Sequence, residues 1–142
     1  MRLQEFITPT LLESVLVTEW LLVEGNVYKG RLFDKTVARF NKNPLVANSL
    51  DKFIEFKSAS PAEPFGAKDY PMAKKGPMGR AVDGLRHAGL TSDISVFYTV
   101  KGGDLRLFGV FTHTEAGIGN TANIKTQKQL ARTMKKQDFS DY

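Results

Sequence analysis

Two histidines, one well-placed carboxylate and a set of cations are the residues of this chain with chemistry to offer. His113 stands two residues past the apolar run 105–111, within Phe111-Thr112-His113-Thr114-Glu115. His87 precedes a second β-rich run, 94–100, whose entrance is held by Asp93. If those runs form an antiparallel hairpin, the start of the first lies beside the end of the second, and Asp93, His113 and His87 converge at one edge of the sheet. An imidazole titrates near neutrality and can accept or give a proton there. A neighbouring carboxylate can orient the ring and favour its protonated form. Cleavage of RNA through its own 2′-hydroxyl requires such a set: one group to accept the 2′-OH proton, another to protonate the departing 5′-oxygen, and cations to offset charge building on the phosphate. Ligation of a metal by two histidines and a carboxylate is an alternative, although no HxH or HExxH spacing supports it. A plain surface or capping histidine is the alternative at either position. Gly76-Pro77-Met78-Gly79 is a loop signal, and the chain carries neither a Walker A nor a Rossmann fingerprint.

The cations are unevenly placed. The chain has 142 residues and a formal charge of +5, with no cysteine. The missing thiols exclude disulfides, thiolate zinc sites and a cysteine nucleophile, and fit a reducing cytoplasm. Residues 1–32 are slightly acidic, whereas 74–90 carries Lys74, Lys75, Arg80 and Arg86 against Asp83 alone. Residues 119–142 carry Lys125, Lys128, Arg132, Lys135 and Lys136 against Asp138 and Asp141. These two segments would raise the local concentration of anions if the fold brings them together. Lys125, Lys128, Arg132 and Lys135 recur at helical spacing, which a solvated charged face would also explain.

The elements that must position these groups follow from periodicity. Glu5 and Glu13 break any secretory leader, and no apolar run is long enough to span a bilayer. A helix is expected over 9–22, with strands over 15–18 and 20–23 as the alternative, and a short strand over 27–33. Asp34 reads as the cap of a short helix ending at Asn43. Pro44 opens a second helix whose stripe is Leu45, Val46, Leu50, Phe53, Ile54 and Phe56. These two helices form a hairpin. Residues 58–84, rich in proline and glycine, read as a long loop. The hairpin 94–100/105–111 turns through Lys101-Gly102-Gly103-Asp104. Both faces of its strands are apolar, which predicts a central position with helices on one side and a partial cover on the other. A last helix over 121–136 would turn Ile124, Leu130, Ala131 and Met134 inward.

A helical hairpin, a loop, a histidine, Asp93-Ile94-Ser95-Val96-Phe97-Tyr98-Thr99-Val100, a Gly/Asp turn and Leu105-Arg106-Leu107-Phe108-Gly109-Val110-Phe111-Thr112-His113-Thr114-Glu115 together resemble the RelE/ParE toxin superfamily, and within it the YafQ-like mRNA interferases. Asp93, Phe97-Tyr98, Gly109 and the Thr112–Glu115 segment fill the slots of that branch. The resemblance covers 27–118 and is sharpest over 87–115. His87 stands farther from Asp93 than the family's first histidine does, and Ile94 and 116–118 replace family aromatics. The resemblance implies one RelE-like domain over 1–142: an extension (1–26), a core (27–118) and a basic carboxyl-terminal helix and tail (119–142). It implies an α+β fold, a small twisted antiparallel sheet with the helical hairpin on one face. The implied activity is metal- and cofactor-independent endoribonuclease cleavage of mRNA on the ribosome, restrained by a cognate antitoxin. His113 would be the principal proton-transfer group, Asp93 its orienting or basic partner and His87 a second proton carrier. Arg80, Arg86, Lys74, Lys75, Lys125 and Lys128 would hold RNA. The alternatives are the same fold as a non-catalytic RNA-, ribosome- or protein-binding module, or as a ParE-like gyrase inhibitor.

Overall fold

The computed structural model describes residues 25–142, so the helix expected over 9–22 lies outside the described residues. The strongest sequence signal, the hairpin, is present as β4 (Ile94–Lys101) and β5 (Asp104–Thr112). Its turn glycines, Gly102 and Gly103, take φ of 58° and 83°, both in the left-handed region that a tight two-residue hairpin turn demands. β3 (Arg86–Gly89) lies antiparallel to β4, and β2 (Asp69–Pro71) antiparallel to β3. β1 (Val27–Gly30) runs parallel to β5, and β6 (Phe139–Asp141) closes the far edge antiparallel to β1. The six-stranded sheet has the order β2-β3-β4-β5-β1-β6 and is mixed, not wholly antiparallel as the sequence predicted. The difference arises because β1 is separated from β5 by helices and the rest of the meander, a connection long enough to return the chain in the same direction.

Helices cover both faces. α1 (Phe33–Ala38) and α2 (Pro44–Ala59), joined through residues 39–43, pack on one face. α3 (Pro77–Ala81) and α5 (Ile124–Lys135) pack together on the other, next to the single turn α4 (His113–Ala116). Asp34 is not the cap of α1: the helix opens at Phe33 behind Leu32, and Asp34 in its first turn pairs with Lys29 at 2.7 Å. Asn43 does cap α2, its side-chain oxygen accepting from the Leu45 and Val46 N–H groups. The buried row of α2 is Val46, Leu50, Phe53 and Lys57, which leaves Leu45 68% exposed and Phe56 at the margin. In α5 the inward residues are Leu130, Ala131 and Met134, while Ile124 in the first turn is 58% exposed. The segment read as one long loop contains β2 and α3. Pro71 ends an edge strand and Pro77 opens a helix, two places where the missing N–H costs nothing.

The pairing register of β4 with β5 slips once. Phe97 faces Gly109 and Tyr98 faces Leu107, so Phe108 is the extra residue of a β-bulge. Before it, Leu105 and Leu107 face the α1–α2 side; after it, Val110 does, and Phe111 faces α5. The backbone groups beyond the bulge are satisfied from outside the ladder, because β1 ends at Gly30. Val110 N–H donates to Thr36 Oγ1 (3.1 Å), Val110 C=O accepts from Arg39 (2.8 Å), and Phe108 C=O accepts from Gln137 (2.9 Å). Gly109 is required there: a Cβ would stand 2.6 Å from the Phe111 ring.

Beneath α2 lies a buried carboxylate. The Asp69 side chain is 0% exposed and bonds Lys57 Nζ (2.9 Å), the Phe65 N–H (2.8 Å), Arg86 Nε (3.3 Å) and the Tyr98 hydroxyl. Burial pushes this carboxyl up, but the bonds from Tyr98, Phe65 and Lys57 outweigh it and hold the group below its ordinary value. Stability from this site is therefore complete above about pH 4 and is lost as acid carries the pH through the depressed folded value. Asp69→Ala would leave Lys57, itself 2% exposed, as an unpaired buried cation. Its expected cost is about 3 kcal/mol or more, read as a lower urea midpoint at pH 7. Gly109→Val is expected to cost about 1–3 kcal/mol by displacing Phe111, in the same measurement.

Candidate functional site

Strand pairing sets the two histidines on one face. His87 of β3 is opposite Phe97, whose side chain points toward α5, and its ring stacks on Phe97 at 5.6 Å and 21°. His113 leaves the end of β5 as the first residue of α4. Thr112 and Glu115 form a reciprocal capping box that fixes this turn, with Thr112 Oγ1 accepting from Glu115 N–H (3.1 Å) and Glu115 Oε1 from Thr112 N–H (2.9 Å). Arg39 pairs with Glu115 and lies over the Phe111 ring, so α1 braces the same turn. The sequence carried no signal for Arg39, because nothing local ties the end of α1 to residue 115.

His113 Nε2 is 3.3 Å from the hydroxyl of Ser95, a residue 1% exposed, and Gly119 (φ 69°) lies against the ring. Asp93 is adjacent through the backbone: its carbonyl accepts the His113 N–H at 2.8 Å. Its carboxylate is exposed and, among the described residues, makes no hydrogen bond or ion pair. The ring of His113 is therefore oriented by Ser95, where the sequence pointed to Asp93. Hydroxyl-to-ring contact across a hairpin needs the alternation of β4 to be known, and Ser95 within an apolar run reads only as strand.

His87 is largely buried, and its Nδ1 has no hydrogen-bond partner among the described residues. Burial lowers its proton affinity, the charge of His113 lowers it further, Asp69 opposes this and Arg86 adds to it. Both histidines thus lie on the α5 side of the sheet, His87 against Phe97 and His113 against Ser95 of the same strand. Of the expected cations, Arg80, Lys128 and the adjoining Arg132 and Lys135 line one groove of about 320 Å³ between α3 and α5, floored by Pro77, Ala81 and Ala131. The two basic segments thus meet, on the same side of the sheet as the histidines. Lys74 and Lys75 are exposed in the turn before α3, and Lys125 is exposed in the first turn of α5. Arg86 is not in this group. It faces Tyr98 across the ladder, and its guanidinium is engaged with Asp69 and Tyr98 on the opposite face. Among the described residues, no group of three or more His, Cys, Asp or Glu is arranged to hold a metal ion, and no helix is long and apolar enough to cross a membrane.

The histidine pair can be tested by titration. His87 is expected to titrate below pH 6.5 by NMR, and His113→Ala should move it upward by removing the neighbouring charge. Since unfolding frees His87 to bind a proton at its ordinary value, this group stabilises the fold above about pH 6.5 and ceases to as acid reaches its depressed folded value.

No protein-family model matches the chain, and no curated protein matches it in sequence. Solved structures do match. A chain of the Escherichia coli DinJ–YafQ toxin–antitoxin complex aligns over 64% of this chain and 94% of its own, with a TM-score of 0.54 at 17% identity. YafQ from E. coli strain BL21(DE3) aligns over 68% and 100%, with a TM-score of 0.51 at 21% identity. A metal-bound toxin from Helicobacter pylori aligns over 63% and 96%, with a TM-score of 0.50 at 21% identity. A sheet of six strands between two helical layers, ending its central hairpin in a histidine, gives this chain the RelE-like α+β fold of the YafQ toxins.

Proposed function

We propose that this protein is a toxin-type endoribonuclease that cleaves mRNA by general acid–base chemistry in the cytoplasm, engages the ribosome, and is held in check by a cognate antitoxin. The observation that carries the reading is that His87 and His113 lie on the sheet face covered by α3 and α5, and that the groove between those helices has four cations as its polar lining.

In this reading the scissile phosphate lies between the two rings. His87, whose depressed proton affinity keeps it neutral, accepts the 2′-hydroxyl proton as the 2′-oxygen attacks phosphorus. His113 gives its proton to the 5′-oxygen as that bond breaks, leaving a 2′,3′-cyclic phosphate and a 5′-hydroxyl. Ser95 holds the His113 ring. Asp93, exposed at the rim and bonded through its carbonyl to the His113 N–H, places a carboxylate beside the site. Arg80 and Lys128 track the backbone, with Lys74, Lys75 and Lys125 as outlying contacts, each adding salt-sensitive and sequence-independent affinity. Arg86 serves the fold instead.

His113→Ala is expected to lower cleavage of translated mRNA by at least about 100-fold. The acid limb of the rate profile should fall below pH 6.5, following the lowered value of His87. Neutralising Arg80 or Lys128 should weaken RNA binding for all sequences and reduce the slope of log K against log salt by about 0.7–1. The non-catalytic binding reading is favoured by the Asp93 carboxylate making no hydrogen bond or ion pair with His113 among the described residues; binding without cleavage by the unaltered protein would establish it in place of the nuclease.

A further inference from the structure

Beside His87, on the open edge of the sheet, stands an aromatic ring that contributes little to the core. Tyr70 of β2 is directly opposite His87 in the ladder, so the two side chains share a face. Their ring centroids are 5.8 Å apart at 53°, yet Tyr70 is 50% exposed. The row continues inward through Phe97, onto which His87 stacks, and to Phe111, whose ring is 5.8 Å from that of Phe97 and fills the space left open at Gly109. Rings are therefore laid across the strands from the exposed edge toward the centre, with His87 as the second member. Downstream of Tyr70 the chain runs through Met72 to the exposed Lys74 and Lys75.

We infer that Tyr70 is a nucleobase-stacking subsite for single-stranded RNA, holding the base of a nucleotide that flanks the phosphate between His87 and His113. The assignment rests on the nuclease reading above. An aromatic face presented at a sheet edge is how strands hold unpaired bases, and every base offers it a π-face. The hydroxyl of Tyr70 is not needed for stacking, so phenylalanine should serve equally well. A base held there places its sugar next to His87, where a 2′-hydroxyl must lie to lose its proton. Tyr70 thereby supplies, from a different strand, an aromatic surface near the histidines.

The test is binding of short single-stranded RNA, followed by fluorescence anisotropy at low salt, in a His113→Ala background that prevents cleavage. Tyr70→Ala is expected to weaken binding about tenfold, and Tyr70→Phe by less than about twofold. A series of RNAs carrying one abasic nucleotide at each position in turn separates stacking from structure. At one position the abasic RNA should bind the His113→Ala protein about tenfold more weakly, while binding to the variant that also carries Tyr70→Ala should be unchanged. Thermal unfolding midpoints should be the same with and without each Tyr70 substitution, as befits an exposed edge position. Equal affinity with and without Tyr70→Ala overturns the assignment, as does a loss that is the same for intact RNA and for every abasic RNA. In either case the RNA-binding reading survives. Failure of the His113→Ala protein to bind any RNA overturns the subsite together with the nuclease reading.

Discussion

A single extra residue in β5 decides which side of the sheet the end of that strand faces. Side chains alternate along a strand, so a register change of one residue transfers everything beyond it to the opposite face. Without the bulge at Phe108, Phe111 would follow Leu105 and Leu107 onto the α1–α2 side, away from His87. With it, Phe111 faces the α5 side, and His113 leaves the strand against Ser95 on the side that carries His87. Past the end of β1 the outer edge of β5 has no strand partner, and Thr36, Arg39 and Gln137 bond its backbone through and beyond the bulge. The distortion is thus built into the packing of α1 and of the segment after α5, and residues distant in the chain hold it in place.

The opposite face has a different task. Asp69 collects Lys57 from α2, Arg86 from β3 and Tyr98 from β4, and so ties the edge strand β2 to the rest of the sheet. Buried ions are poor sources of net stability, but each member becomes costly to bury once its partners are gone. The arrangement therefore favours one position of β2, and through the ladder one position of Tyr70 beside His87. It also divides adjacent residues between faces: Arg86 points down into the ionic cluster while His87 points up among aromatic rings.

Charge completes the upper face. α3 and α5 are far apart in sequence, and their packing brings Arg80 beside Lys128, Arg132 and Lys135. Exposed cations set apart would each be screened within about a Debye length, whereas a groove lined by several raises the potential along its length. The RelE-like fold by itself does not dictate an activity. The proposed nuclease function rests on this groove and on the two imidazoles of the same face.

Local information is legible in the chain. The hairpin 94–101/104–112 announces itself by β-branched and aromatic runs around paired glycines, α2 by its proline start and apolar period, and α5 by its cationic row. Those patterns are short-range, and they bring Asp93 and His113 to neighbouring positions through hairpin closure alone. The bulge is not written locally, because Leu107-Phe108-Gly109-Val110 would satisfy an unbroken ladder equally well. Its selection depends on partners in α1 and at residue 137. Ser95 as the partner of the His113 ring, the diversion of Arg86, the strand that carries Tyr70 and the brace from Arg39 all depend likewise on contacts between segments remote in sequence. Composition and spacing determined which elements form and which residues could do chemistry. Tertiary packing decided which face each residue occupies, because a side-chain period of two makes facing depend on a single residue of register.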